Sequence, residues 1–336
     1  MNSFEIDLLN AVMKNAKNYY IDNYDEQRFG LRKTLFSKKI YAFLSRKSLV
    51  RIDDSDVSIW CDGFKVYKEY FSGLDYLHSL LQDEGSKKLL VDVFAYRIMG
   101  ERRVKLPYNN KYHAYIKSIE KKRIKKIEPI KLSFLGWELP CYDIAHLGYD
   151  VQLHYLSGGI YNTFVYQQYL NKDIGFTVSS DDVVIDAGGC YGDTALLLSR
   201  LVGERGKVFS FEFVDENIKV FNTNIDLNNT GNIEIVKKAI WSSSGNQLQF
   251  SVNGPGTSAV MTSDNQAKVI IETTSIDDFV FEKELNRLDF VKMDIEGSEL
   301  EALKGAVNTI QKFKPKLAIS IYHKINDFYD IVHFIE

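Results

Sequence analysis

The stretch Val183-Val-Ile-Asp-Ala-Gly-Gly-Cys-Tyr-Gly-Asp-Thr194 decides how this chain is read. Val183 to Ile185 are consecutive apolar residues, the mark of a strand buried on both faces of a parallel sheet. Asp186 ends that strand. Gly188, Gly189 and Gly192 then allow a tight turn that brings a ligand close to bare backbone. A helix is predicted over Thr194 to Leu201, with Asp193 and Thr194 at its start, where acidic and hydroxyl side chains satisfy free N–H groups. Strand, glycine turn and helix make the first half of a nucleotide-type cofactor site. A second strand, Lys207 to Glu212, carries a carboxylate about 20 residues past the turn, where a ribose-binding acid is expected. The bland alternative for Glu212 is a surface residue capping the helix predicted from Glu216 onward.

The form of the turn separates two cofactors. A dinucleotide site aligns its glycines as G-x-G-x-x-G, so that a pyrophosphate rests on the helix N-terminus. Here the order is Asp-x-Gly-Gly-x-x-Gly, with Asp186 before the turn and Asp193 directly after it. Two carboxylates repel a pyrophosphate and suit an ammonium group, such as the methionine end of S-adenosylmethionine. Further along, Leu288 to Met293 reads as another buried strand, with Asp294 and Glu296 emerging at the end where ligands bind in open α/β sheets. Gly297 makes the next turn. Ser298, Glu299 and Glu301 favour the start of a helix running to about Lys312, so Glu299 is read as a helix-start residue. Lys316 to His323 is a further apolar strand ending in a histidine. Strands alternating with helical stretches predict a parallel α/β sheet, with Asp186, Glu212, Asp294 and His323 along one edge.

Four separated segments occur in a telling order: Val183–Thr194, Gly206–Glu212, Thr273–Phe279 with Phe290–Gly305, and Pro315–His323. The third contains Phe-Val-Lys-Met-Asp294-Ile-Glu296-Gly297-Ser-Glu299. Through these residues the chain resembles the FkbM-type S-adenosylmethionine-dependent methyltransferases, whose signature is Lys-x-Asp-hydrophobic-Glu-Gly-x-Glu. The resemblance covers about Asp182 to His323. It implies a Rossmann-like methyltransferase sheet with helices on both faces, S-adenosylmethionine as cofactor, and an acceptor that is a sugar hydroxyl of a glycan or glycoconjugate, although the family also methylates macrocyclic natural products. There is one departure: the family commonly has Gly-Ala-Asn where this chain has Gly188-Gly189-Cys190, so the contact usually made by that Asn lacks its residue.

The cofactor is expected on Asp186, Gly188, Gly189, Gly192, Asp193, Thr194 and Glu212. An alcohol is a poor nucleophile until its proton leaves, which requires a positioned base. Asp294 and His323 are the candidates, with Glu296 orienting the substrate or the base. Asp294 and Glu296 also suggest Mg²⁺ held through oxygen ligands, but two carboxylates fall short of a full ligand set, and no metal site is assigned. Two other readings share parts of this pattern. A NAD-dependent oxidoreductase would have the same first strand, turn and helix. A non-catalytic methyltransferase-like module serving polysaccharide biosynthesis would keep the fold without turnover.

The rest of the 336 residues sets limits. That length predicts about two domains, and a hydrophobic fraction of 45% suffices for globular cores. A net charge of −3 gives no global attraction to nucleic acid or acidic membranes. The three cysteines, Cys61, Cys141 and Cys190, are too widely spaced for a disulfide framework or a CxxC metal site. No secretion signal opens the chain, and no run approaches the ~20 apolar residues that span a bilayer. A cytoplasmic protein is expected. Phe4, Leu8, Leu9, Val12 and Met13, and again Leu89, Leu90, Val93, Phe94 and Ile98, recur at helical spacing. We therefore divide the chain into a mainly helical N-terminal domain at 1–128, an aromatic-rich connecting or substrate-facing segment at 129–176, and a methyltransferase domain at 177–336. The basic run from Lys117 to Lys131 reads as solvated surface or as a contact for an anionic substrate. The aromatics from Phe134 to Tyr169 suit sugar faces and an ordinary domain interface equally. Asn253–Ser258 is expected to be a shaped, exposed loop. Asp327 to Glu336 reads as an amphipathic helix with no closing strand after it, as in a shortened chain.

Overall fold

Short, mostly apolar stretches fold as the strands of one parallel sheet, and all but the third strand directly follow an Asp, Gly or Pro. They are β1 (Val183–Ala187), β2 (Lys207–Phe211), β3 (Ile233–Val236), β4 (Phe290–Met293) and β5 (Lys316–Ile319). The sheet order is β5-β4-β1-β2-β3, with every neighbouring pair parallel. The order reverses between β1 and β4. That is the topological switch point, outside whose carboxyl edge an open α/β sheet forms its ligand crevice. This computed structural model describes residues 2–18, 20, 54–106, 109–133, 136–251 and 268–336.

Successive side chains of β2 point to opposite faces. Val208 joins Val184 and Phe290 against Ala195, Leu198 and Val202 of the helix α1 (Asp193–Val202) and Phe221 of the helix α2 (Asp215–Leu227). Phe209 and Phe211 turn the other way, edge-on to Phe279 of helix Ile276–Glu282 at 5.2 and 4.9 Å. The sheet is thus covered by helices on both faces, which is why its strands read as continuous apolar runs. Every residue of α1 from Asp193 to Ser199 is buried.

Two expectations shift. The helix foreseen up to Lys312 is two, Glu299–Lys304 and Val307–Phe313. They part at Gly305, packed so tightly that a Cβ there would lie 2.3 Å from the Trp241 carbonyl oxygen. The strand foreseen up to His323 stops at Ile319. Ser320 N still donates to Met293 O at 2.8 Å, but β4 ends there and offers no further partner. A separate small sheet pairs Lys268–Thr274 with Ala239–Ile240 and Gln247–Ser251. Phe134 and the loop Asn253–Ser258 lie outside the described residues.

The chain forms two units. Ala114–Lys324 holds the sheet, and Met1–His113 with Ile325–Glu336 forms the other. In the second, helix Ser3–Asn15 is capped by Asn2, whose side chain accepts from Glu5 N at 2.8 Å. Its Phe4 is fully buried, edge-on to Phe71 and Phe94 at 6.0 and 5.7 Å. Helix Glu84–Met99 starts on the Asp83 side chain and stops at Gly100, where φ is +80°. The last helix, Asp327–Ile335, belongs to this unit: Phe328 lies 5.3 Å from Phe94, and Gly73 leaves the space that the Tyr329 ring occupies. No helix among the described residues is long and apolar enough to cross a membrane.

Candidate active site

A polar row crosses three strands beneath the glycine turn. Lys292 of β4, Asp186 of β1 and Ser210 of β2 are register partners, so their side chains share one face. Asp186 and Ser210 are fully buried and Lys292 is 2% exposed. Lys292 Nζ lies 3.0 Å from Asp186 Oδ1, and Ser210 Oγ donates to Asp186 Oδ2 at 2.7 Å. The same ammonium donates to the carbonyls of Ala187 and Gly188 at 3.0 and 2.7 Å. Burial works against the charged lysine, but the carboxylates of Asp186, Asp294 and Asp193 together outweigh it and raise the pKa. Asp186 is therefore committed to the chain's own cation.

The glycines serve close approach. Gly188 and Gly192 both take φ +87°, and a Cβ on Gly188 would lie 2.1 Å from the Asp294 carbonyl oxygen. On Gly192 it would lie 2.2 Å from the Phe221 ring, and on Gly189 2.3 Å from Ser210 Oγ. Cys190 sits at φ +46°, a left-handed conformation that Asn tolerates better than other side chains. The resemblance puts Asn at that place.

Asp193 opens α1 and is buried, accepting from Thr163 Oγ1. Burial pushes its pKa up to about 6, although the Thr163 hydrogen bond and Lys292 pull the other way. Thr194 beside it is buried as well. Glu212 follows β2, with Oε1 accepting from Phe213 N and Val214 N at 2.7 and 2.8 Å. Its Oε2 accepts from Asn217 Nδ2 at 3.1 Å, and burial raises its pKa despite these donors.

After β4 the backbone turns through Glu296 (φ +57°) and Gly297 (φ +93°). Asp294 accepts from the hydroxyls of Tyr169, at 2.5 Å, and Tyr322, at 3.1 Å. Its side chain keeps 18% exposure and lines a cavity of about 680 Å³ with Asn162, Gln168, Tyr169, Asn171 and Tyr322. His323, carried past the end of β5, faces three carboxylates. Its Nε2 is 3.4 Å from both Asp294 Oδ1 and Glu296 Oε2, and its Nδ1 is 3.1 Å from Glu299 Oε1. Burial disfavours the charged ring, but Glu296 and Glu299 overcome it and push the pKa up to about 10. Glu299 does begin a helix, as foreseen, and its Oε1 accepts from Ile295 N at 2.8 Å. It is also fully buried against the histidine.

The structure thus brings Asp294, Glu296 and His323 into one cluster, and sets Asp186 and Asp193 about the glycine turn. Lys292, Ser210, Thr163, Tyr169, Tyr322 and the second role of Glu299 were missed as site residues. Lys292 and Glu299 carried a signal, as the first and last residues of the Lys-x-Asp-hydrophobic-Glu-Gly-x-Glu pattern, and Tyr169 stood among the aromatics read as suiting sugar faces or packing.

A parallel sheet of this order, with a glycine turn after its first strand and acids at its carboxyl edge, defines a Rossmann-like methyltransferase fold. Residues 186–336 match the family model described as the methyltransferase FkbM domain. The hexuronic acid methyltransferase AglP of Haloferax volcanii is 32% identical over 134 residues, covering 39% of this chain and 52% of that protein. The chain spans about half the length of this curated relative. The crystal structure of methyltransferase FkbM from Methylobacillus flagellatus KT is 20% identical, with a TM-score of 0.48 over 93% of this chain and 65% of that one.

Proposed function

We propose that this protein is an S-adenosylmethionine-dependent O-methyltransferase acting on a sugar hydroxyl of a glycan or glycoconjugate. The observation that carries the reading is the cluster of Asp294, Glu296 and Glu299 around His323 beyond the carboxyl end of β4, beside a cavity that Asp294 lines together with two tyrosines and three side-chain amides. The cofactor's chemistry fits the residues present. A buried Asp193 whose pKa stands at about 6 gains from an ammonium partner, and Glu212 at the end of β2 suits ribose hydroxyls. When bound, S-adenosylmethionine supplies a methyl group made electrophilic by its sulfonium.

The chain's part is then alignment and proton removal. Asp294 receives the acceptor's proton: it lines the cavity, and the hydroxyls of Tyr169 and Tyr322 hold its carboxylate. The His323 ring faces Asp294, Glu296 and Glu299 and orients that cluster. Tyrosine faces and amide groups suit a sugar, which offers C–H patches beside hydroxyls. The similarity to a hexuronic acid methyltransferase agrees with that class.

Titration calorimetry with S-adenosylmethionine and with NAD tests the cofactor; binding of NAD alone would overturn the reading. Glu212→Ala should weaken S-adenosylmethionine at least about tenfold, since charge-assisted hydrogen bonds are worth about 1.5–3 kcal/mol each. Because Glu212 also holds Phe213 N and Val214 N, Glu212→Gln is the companion variant that keeps the local shape. Asp294→Asn should lower turnover by about 10²–10⁴-fold while cofactor affinity stays nearly unchanged.

A further inference from the structure

We propose that Asp294, Glu299 and His323 form a binding site for a divalent transition-metal ion, preferring Mn²⁺, Fe²⁺ or Zn²⁺ to Mg²⁺ or Ca²⁺. One ligand atom from each residue lies within 4.8 Å of the others. Two further features point to a ligand. Glu299 is fully buried, yet its Oε2 has no hydrogen-bond partner. The His323 side chain is 9% exposed, and neither ring nitrogen makes an aligned hydrogen bond although carboxylate oxygens lie 3.1–3.4 Å away. Polar atoms so buried rarely stay unpaired without a function.

Charge points the same way. Asp294 and Glu299 set two carboxylates against a single imidazole, an excess of acidic over basic groups. Lys292, from the same strand, is engaged by Asp186 and the turn carbonyls. A dication offsets the excess and takes the imidazole as a neutral ligand. The surroundings have the hydrogen bonding that ligating groups ordinarily possess. Ile295 N orients the Glu299 carboxylate, and the Tyr169 and Tyr322 hydroxyls orient that of Asp294. The imidazole sets the choice of ion, because nitrogen donors favour first-row transition metals whereas all-oxygen shells suit Mg²⁺ and Ca²⁺. Three protein ligands leave coordination positions open. Since Asp294 also lines the 680 Å³ cavity, an acceptor hydroxyl reaching it would meet the ion and become more acidic. That role rests on the methyl-transfer reading; the binding of the ion does not.

The test uses the full chain stripped with a chelator and titrated with Mn²⁺, followed by calorimetry and by the paramagnetic resonance signal of free Mn²⁺. One Mn²⁺ per chain should bind, and Glu299→Gln or His323→Asn should each weaken it at least about tenfold. Glu299 is buried and its replacement can disturb folding, so Asp294→Asn, at a partly exposed position, is the third variant. It should lose Mn²⁺ to the same degree while circular dichroism and S-adenosylmethionine affinity remain those of the wild type. Stripped protein that binds S-adenosylmethionine but takes up neither Mn²⁺ nor Zn²⁺ overturns the ion site and leaves the methyltransferase reading standing. Uptake that is equal in the wild type and all three variants also overturns it. Site-dependent Mn²⁺ uptake without S-adenosylmethionine binding would keep the ion and remove the proposed function.

Discussion

Asp193 carries the clearest expectation at the scale of single residues. Tyr155, Thr163, Lys292, Asp186, Tyr169 and Cys190 all act on it or are acted on by it, and burial wins, leaving its pKa at about 6. A folded-state pKa above the unfolded value of about 3.9 means that the protonated acid favours folding. That contribution is complete below about pH 3.9 and is lost as pH rises through about 6. Asp193→Asn should therefore raise the unfolding midpoint at pH 7.5 and have less effect near pH 4. If the carboxylate holds the cofactor's ammonium, wild-type affinity for S-adenosylmethionine should fall between pH 7 and pH 5, and Asp193→Asn should be weaker and flat. A pH-independent wild-type affinity removes Asp193 from the cofactor site. Lys292 gives a second test. Lys292→Met leaves Asp186 buried without its cation, a loss of about 3–5 kcal/mol, while Lys292→Met with Asp186→Asn should recover much of it in denaturant titrations. This pair was not legible in the sequence. Its members stand more than a hundred positions apart, and only the register of β1 against β4 puts them face to face.

Single elements were far more legible, because a turn's requirements are local. Gly192 had to be glycine for its positive φ, and the Phe221 ring adds a steric reason that no local pattern announces. Gly192→Ala should cost about 1–3 kcal/mol, seen as a lower denaturation midpoint with the slope unchanged. Four strands of the main sheet, β1, β2, β4 and β5, were readable as apolar runs, and α1 as the segment after the glycine turn; β3, with Glu234 between Ile233 and Ile235, carries no such run. What failed were the ends of elements. Strand length depends on whether the neighbour continues, and β5 stops because β4 does. Tyr169 and Thr163 lie in a segment whose aromatics announced a surface for sugars or for packing. Which of them would reach an acid depended on the path of the chain through Tyr161–Tyr166.

For the whole molecule, composition and periodicity separated a helical part from an α/β part, but not where the final helix would go. Its amphipathic face was evident in the sequence; its partners, Phe94 and the helix Phe71–Leu80, lie more than two hundred residues earlier. Phe328→Ala should lower the stability of the helical unit by about 3–5 kcal/mol while cofactor affinity below the transition is kept. The return of the chain makes Ala114–Lys324 a guest spliced into a host, joined at two points rather than one. A cut along the family boundary at 186 would carry away a piece of the host, the helix with Phe328 and Ile331, and leave both proteins with an apolar wound. Such a fragment should scatter light on concentration, whereas one cut at 114 and 324 should not. Exchanging this guest between relatives therefore needs two junctions that keep their spacing, a constraint that simple end-to-end fusion does not meet.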